Sequence, residues 1–196
     1  MFRGVDSTMR FVILGGSGSG KSTQAQNLSR HFNVPTISTG EILRQATSSL
    51  GELADNARYA IATGELVSDE LMINLIRNHL QQPNFTKGWV LEGYPRTAFQ
   101  AEELDFLLDE LGQKLNYAIY LQTSQAVMVS RSKARSQPDD QPEIVQRRVE
   151  LFYDRTVPIL EYYDRRHRLL TIDGNQSPEA VEHNIITLLS NTEAPI

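Results

Sequence analysis

Short apolar runs alternate along this chain with longer stretches in which apolar residues recur every three or four positions. Residues 11–14, 36–38, 89–91, 117–121 and 169–172 read as strands. Helical spacing covers roughly residues 22–32, 51–63, 69–80, 97–111, 124–135, 143–165 and 178–189. Strands this short and apolar, each leading into a helix, predict a five-stranded parallel sheet covered on both faces, a three-layer α/β/α fold. Val145, Val149, Phe152, Ile159 and Tyr163 keep one apolar stripe through the longest helix, which Pro158 should bend. Ser177-Pro178 pairs an N-cap residue with proline at the first helical position. Residues 40–80 hold three helical pieces between two strands, predicting a small helical subdomain over the sheet's edge. Residues 132–141 form a polar break between two helices, a candidate lid that taken alone reads as an ordinary surface loop.

The first strand runs into Gly15-Gly16-Ser17-Gly18-Ser19-Gly20-Lys21-Ser22, the phosphate-loop pattern in its strand–loop–helix setting. Glycines let the backbone curl until several N–H groups converge, and the helix start adds partial positive charge, so Gly18, Ser19 and Gly20 are candidate phosphate contacts. Lys21 adds a full charge for the outer phosphates, and a hydroxyl at Ser22 or Thr23 can reach a magnesium ion. The competing reading, a flexible glycine-serine turn, leaves the strand, spacing, lysine and hydroxyl unexplained. The pattern therefore predicts binding of a nucleoside triphosphate with Mg2+.

Composition narrows the partners. A chain of 196 residues that is 40% hydrophobic can bury the core of one domain. With no cysteine, disulfides, thiolate zinc sites and a cysteine nucleophile are excluded. A net charge of −5 argues against nucleic acid or an anionic membrane as the main partner, and no apolar run is long enough to span a bilayer. The expectation is a cytoplasmic protein, with residues 1–8 a loose extension before a domain over 9–196 and Met9 an alternative start.

A second anion clamp follows the third strand. Glu92 at a strand's carboxyl end is placed to orient magnesium's water shell, and the Gly93-Tyr94-Pro95 turn holds Arg96 for bidentate phosphate contact. Arg44 is another candidate. Arg131 and Arg135 share a helix face, and Arg147 and Arg148 come early on the next helix. One arginine alone is more often a solvated surface charge. Gathered around one loop of an acidic chain, these point to an anion, and phosphoryl transfer asks for several cations because charge spreads over the transferred group.

In order along residues 9–189, these blocks resemble the adenylate kinases among the nucleoside monophosphate kinases. The likeness rests on residues 16–24, Ile37-Ser38-Thr39-Gly40-Glu41-Ile42-Leu43-Arg44, Gly64-Glu65-Leu66-Val67-Ser68-Asp69 and Glu92-Gly93-Tyr94-Pro95-Arg96-Thr97. Gln100, Arg131/Arg135, Asp139-Asp140 and Arg147-Arg148 continue it. The resemblance implies a P-loop kinase fold with a mobile AMP-binding subdomain at 39–67 and a short lid at 132–142. It implies MgATP on the phosphate loop and AMP against Thr39, Arg44, Gly93, Tyr94, Pro95, Arg96, Gln100 and Arg148. The backbone of Glu65, Leu66 and Val67 would line the AMP base pocket. It further implies Arg131 packed on the ATP base, Arg135 and Arg148 on phosphates, and Gln176 near the ATP adenine. Lys21, Arg96, Arg131, Arg135 and Arg148 would carry catalysis, in a monomer acting on ATP, AMP and ADP. Thr39 with Gln100 resembles the adenine-selective branch.

No general base is needed in this reading, because the AMP phosphate is already an oxyanion and the enzyme must align it and neutralise charge. Several positions depart from the family pattern. Glu92 replaces an aspartate, Gln137 stands where an arginine is usual, Ser17 replaces a proline and should loosen the loop, and Ser22 replaces a glycine. Two alternatives stay open at this stage: a related kinase for another monophosphate, and a nucleotide-binding sensor with decayed catalysis.

Overall fold

The apolar runs become strands whose alternate side chains enter two different helical layers. In the computed structural model, which describes residues 9–135, 137 and 140–191, five parallel strands form one sheet. They are β1 (Met9–Leu14), β2 (Thr36–Ser38), β3 (Gly88–Glu92), β4 (Tyr117–Gln122) and β5 (Leu169–Asp173), in the order β2-β3-β1-β4-β5. The expected extension over 1–8, and residues 136, 138 and 139 of the expected lid, lie outside the described residues. The helices are α1 (Lys21–Phe32), α2 (Thr39–Ala46), α3 (Glu52–Thr63), α4 (Asp69–Leu80), α5 (Ala98–Glu110), α6 (Gln125–Arg135), α7 (Pro142–Leu151), α8 (Pro158–Asp164) and α9 (Pro178–Asn191).

Phe11 lies opposite Val90 and Tyr117, so the pleats of β1, β3 and β4 stay in step. Phe11, Ile13, Val90, Ile119 and Ile172 then meet Ala25 and Leu28 of α1 and Val181 and Ile185 of α9. Val12, Leu14, Trp89, Leu91 and Ala118 face the other way, onto Ile76 of α4, Leu104 and Leu108 of α5, and Ile159 and Tyr163 of α8. Burying each large side chain of this kind contributes about 1.5–3 kcal/mol, which fixes both faces and leaves the strand ends to function.

Local signals set the helix starts. Ser38 caps α2, Thr97 accepts from the Gln100 amide at 3.1 Å to cap α5, and Ser177 accepts from the Ala180 amide at 3.3 Å. The expected single helix over 143–165 is instead two helices joined by one wide turn, Phe152–Thr156. Pro158 has no N–H and its ring crowds the carbonyl four residues back, so the chain widens there. The Val157 amide reaches the Phe152 carbonyl, five residues back, at 2.9 Å.

At the amino ends of the strands Gln113 ties three segments together. Its Oε1 accepts from Arg10 Nε at 2.9 Å and from Trp89 Nε1 at 3.0 Å, while Arg10 also donates to the Thr86 carbonyl at 2.8 Å. Both donors are buried, so losing the shared acceptor strands two N–H groups. Gln113→Leu should therefore lower unfolding stability by about 2–3 kcal/mol in urea titration while leaving turnover near wild type. A change below about 0.5 kcal/mol would show that the contacts are not holding the sheet's base.

Candidate active site

The crossover from β1 to β2 and that from β3 to β4 run toward opposite edges of the sheet, so a crevice opens beyond the carboxyl ends of β1 and β3. It is a cavity of about 390 Å³. One wall is the loop between β1 and α1, where Gly18 and Gly20 adopt φ of 80° and 95°, in the left-handed region. The loop rests on α6. A Cβ on Gly16 would run into the Met128 sulfur, and one on Gly18 into the Met128 carbonyl oxygen. The expected loosening by Ser17 is countered by a contact, because its hydroxyl accepts from Ser132 Oγ at 3.3 Å.

Lys21 Nζ donates to the Gly16 carbonyl at 2.7 Å. Burial pushes its pKa down to about 8; Glu92 pulls it up, and Arg96, Arg135 and Arg148 push it further down. The same crowding acts on Arg96, whose pKa is lowered by burial and then by Arg148. Arg96 is held at both ends: its Nε donates to the Gly93 carbonyl at 2.9 Å, and its carbonyl accepts from Thr156 Oγ1 at 3.0 Å. Arg135 grips Asp140 through two bonds of 3.0 and 2.6 Å, and the Gln137 amide adds a third to the same carboxylate at 2.8 Å. Burial raises the Asp140 pKa, but these bonds outweigh it and hold the carboxyl below its ordinary range. The Arg135 guanidinium is thereby fixed in one plane, the geometry in which its fork matches phosphate oxygens.

Glu92 ends β3 with 6% exposure, its Oε1 accepting from Ser22 Oγ at 3.1 Å and from Ser38 Oγ. The Ser22 proton is thus committed to Glu92, while Thr23, an exposed residue, lines the cavity. A carboxylate and two hydroxyls at the loop's end suit a hard, oxygen-seeking cation that brings most of its ligands as phosphate and water. Among the described residues, no group of three His, Cys, Asp or Glu side chains forms a metal cage.

Toward α2, α3 and α4 the same cavity has an apolar slot lined by Leu43, Ala60, Ile61, Val67 and Met72, and Gly64, Glu65, Leu66 and Gln100 line the cavity as well. Thr39, Arg44, Gly93 and Pro95 line the cavity too. The Thr39 hydroxyl, in a residue 1% exposed, donates to the Glu92 carbonyl at 3.3 Å, and a Cβ on Gly93 would strike that hydroxyl.

Four sequence-predicted residues do not line the cavity, and one of them, Arg147, is paired instead with Glu65 at 2.6 Å. The Tyr94 side chain belongs to the core and its hydroxyl donates to the Gln100 carbonyl at 3.2 Å, so only its backbone shapes the turn. Ser19 faces inward, its buried hydroxyl without a partner among the described residues. Gln176 contributes its carbonyl to Arg131, which also donates to the Gly174 and Asn175 carbonyls, at 2.7–3.1 Å. Sequence reasoning missed Ser38, Thr156, Ile61 and Met72. Their motif neighbours are visible in the chain, but hydroxyl partners across the sheet have no sequence spacing to betray them.

Comparison with known proteins agrees with the geometry. A family model described as adenylate kinase matches residues 13–168. The chain is 71% identical over 181 residues to adenylate kinase 2 of Nostoc sp., covering 92% of this chain and 98% of that protein. It is 48% identical over 181 residues to adenylate kinase 2 of Synechocystis sp., covering 92% and 100%. Adenylate kinase 1 of Nostoc sp. is 40% identical over 182 residues, covering 93% and 99%.

The lowered Lys21 pKa has a measurable consequence. A bound polyphosphate favours the ammonium form and raises the pKa, so above about pH 8 binding must take up a proton. The ratio of wild-type to Lys21→Met tripolyphosphate affinity, in which the ligand's own ionisation cancels, should be flat below that pH and fall by up to about tenfold per unit above it, with extra proton uptake by the wild type seen by calorimetry. Lys21→Met should bind weakly, and its pH profile should follow the ligand alone. A constant ratio through about pH 9.5 would contradict the assignment of Lys21 to the anion.

Proposed function

The chain belongs to the adenylate kinase family and transfers a phosphoryl group reversibly from ATP to AMP, and from that premise we propose how its cleft divides the work. The loop over 15–23 takes the ATP triphosphate on converging N–H groups, with Lys21 at the outer phosphates. The AMP phosphate lies against Arg44, Arg96 and Arg148, and its base enters the slot between Val67 and Gln100. Arg131 orders the loop over 174–176 and offers the face of its guanidinium to the ATP adenine. The observation that carries this reading is the convergence of Lys21, Arg96, Arg135 and Arg148 between a phosphate loop and an apolar slot, where burial and their mutual repulsion depress the pKa of Lys21.

In the forward direction an AMP phosphate oxygen attacks the γ-phosphorus of ATP, a new P–O bond forms, and the bond to the bridging oxygen breaks. ADP leaves from both halves of the cleft. The attacking group is already an oxyanion, so no residue removes a proton. Arg96, anchored to the Gly93 carbonyl, aligns the nucleophile, and Lys21, Arg135 and Arg148 take up the spreading charge. Bound with the nucleotide, Mg2+ would be held through Thr23, Ser22 and Glu92, partly by way of water, and would neutralise phosphate charge.

The subdomain at 39–67 and the lid at 132–142 close over the two ligands and keep competing water from the γ-phosphate. Arg147 at the lid side meets Glu65 at 2.6 Å and supports closure of these two parts on each other. Among the described residues no helix is long and apolar enough to cross a membrane. A monomer working in the cytoplasm without nucleic-acid or membrane partners fits the acidic, cysteine-free chain.

Diphosphate formation followed with MgATP and each of AMP, GMP, CMP and UMP tests the assignment. AMP should be turned over far better than the others, and preference for another monophosphate would overturn it. In the same assay Gln137→Arg should raise kcat, by at most roughly 10³-fold, because position 137 is exposed and adds a cation at the lid. An unchanged or lower rate would mean that Arg135 and Arg148 already supply that charge.

A further inference from the structure

Gln100 lines the cavity at 2% exposure, and its amide is fixed by two partners of opposite hydrogen-bonding character. Its Oε1 accepts from the Arg96 backbone N–H at 2.8 Å, and its Nε2 donates to Asp69 Oδ1 at 2.7 Å. A backbone N–H can only donate and an ionised carboxylate can only accept. Turning the amide over would face Nε2 with the N–H and Oε1 with the carboxylate, exchanging two hydrogen bonds for two repulsive contacts. One lone pair and one N–H of the amide remain for a ligand.

Adenine and guanine differ in the feature such an amide reads. The adenine edge places a donor at its exocyclic nitrogen beside an acceptor ring nitrogen; guanine places an acceptor oxygen beside a donor ring nitrogen. An amide free to turn over serves either base in one pose, and an amide that is locked serves one. We propose that Asp69 is a positioning residue for base discrimination, holding the Gln100 amide, together with the Arg96 N–H, in the orientation that accepts adenine and rejects guanine. This rests on the placement of the AMP base in the slot given above. Asp69 touches no substrate in this scheme. It begins α4, and Thr97 Oγ1, which caps α5, lies 3.5 Å from its Oδ1, so the lock joins two helix starts and the Arg96 turn.

A purely structural role for Asp69, as an acidic residue in the first turn of α4, would lower activity on every monophosphate alike. The test therefore reads a ratio. In Asp69→Leu and Asp69→Ala the carboxylate acceptor is gone, so Gln100 Nε2 loses the partner that fixes it and only the Arg96 N–H opposes a turned-over amide. Both variants should raise the ratio of kcat/KM for GMP over AMP by about tenfold or more, with KM for ATP unchanged. Equal losses on AMP and GMP with an unchanged ratio would overturn the proposal, and Asp69→Leu, close to aspartate in size and without an acceptor, keeps this decisive if the alanine variant is unstable. Gln100→Leu separates the underlying reading. Wild-type kcat/KM for AMP in that variant would remove the base from this slot, whereas a loss there with a fixed ratio in the Asp69 variants defeats the lock alone.

Discussion

Like charges gathered at the carboxyl ends of the central strands are the constraint on which this molecule turns. Arg96, Arg135 and Arg148 all weaken the hold of Lys21 on its proton, Arg148 does the same to Arg96, and burial makes both charges harder to keep. Such a cluster costs folding energy unless neighbours hold it, and much of the local structure does that holding. Asp140 grips Arg135, the Gly93 carbonyl and Thr156 fix Arg96, and the Gly16 carbonyl takes Lys21. In the proposed function the cost is recovered when a polyphosphate enters, because its negative charge would cancel the field that the cations impose on one another. Stability given up at the site becomes affinity for the ligand.

The sheet serves this purpose through its topology. Two buried faces secure the strands from both sides, so their carboxyl ends are rigid and can carry chemistry. β1 delivers the phosphate loop and β3 delivers Glu92 and the Arg96 turn, and their pairing at Ile13 and Glu92 sets the two clamps side by side. Glu92, where the family resemblance leads one to expect an aspartate, is matched by its surroundings. Hydroxyls at Ser22 and Ser38 receive the longer carboxylate, so the extra methylene is accommodated by contacts rather than left mobile.

What can be read in the chain follows the range of the forces involved. Apolar periodicity and the glycine-lysine loop are local, so the parallel sheet, the helices and the glycine-rich turn between β1 and α1 are legible from spacing alone. The arginines are visible as a cluster, yet their separate tasks come from family likeness, since spacing says nothing about which guanidinium reaches which phosphate. The wide turn at Phe152–Thr156 is half legible: Pro158 announces a defect, but its form depends on which carbonyl the Val157 amide finds. Contacts such as Gln100 with Asp69 or Ser38 with Glu92 join residues far apart in sequence, and only the fold brings them together. The inward ring of Tyr94 escapes a sequence reading for the same reason, because a motif position marks the turn and not the direction of each side chain.

The central claim is that one cleft seats two adenosine phosphates end to end across the cation cluster. Calorimetric titration with two adenosines joined through five phosphates tests it most directly. One molecule should bind per chain, far more tightly than ATP or AMP alone, and displace both. Two molecules per chain, or displacement of only one of the two nucleotides, would contradict the account.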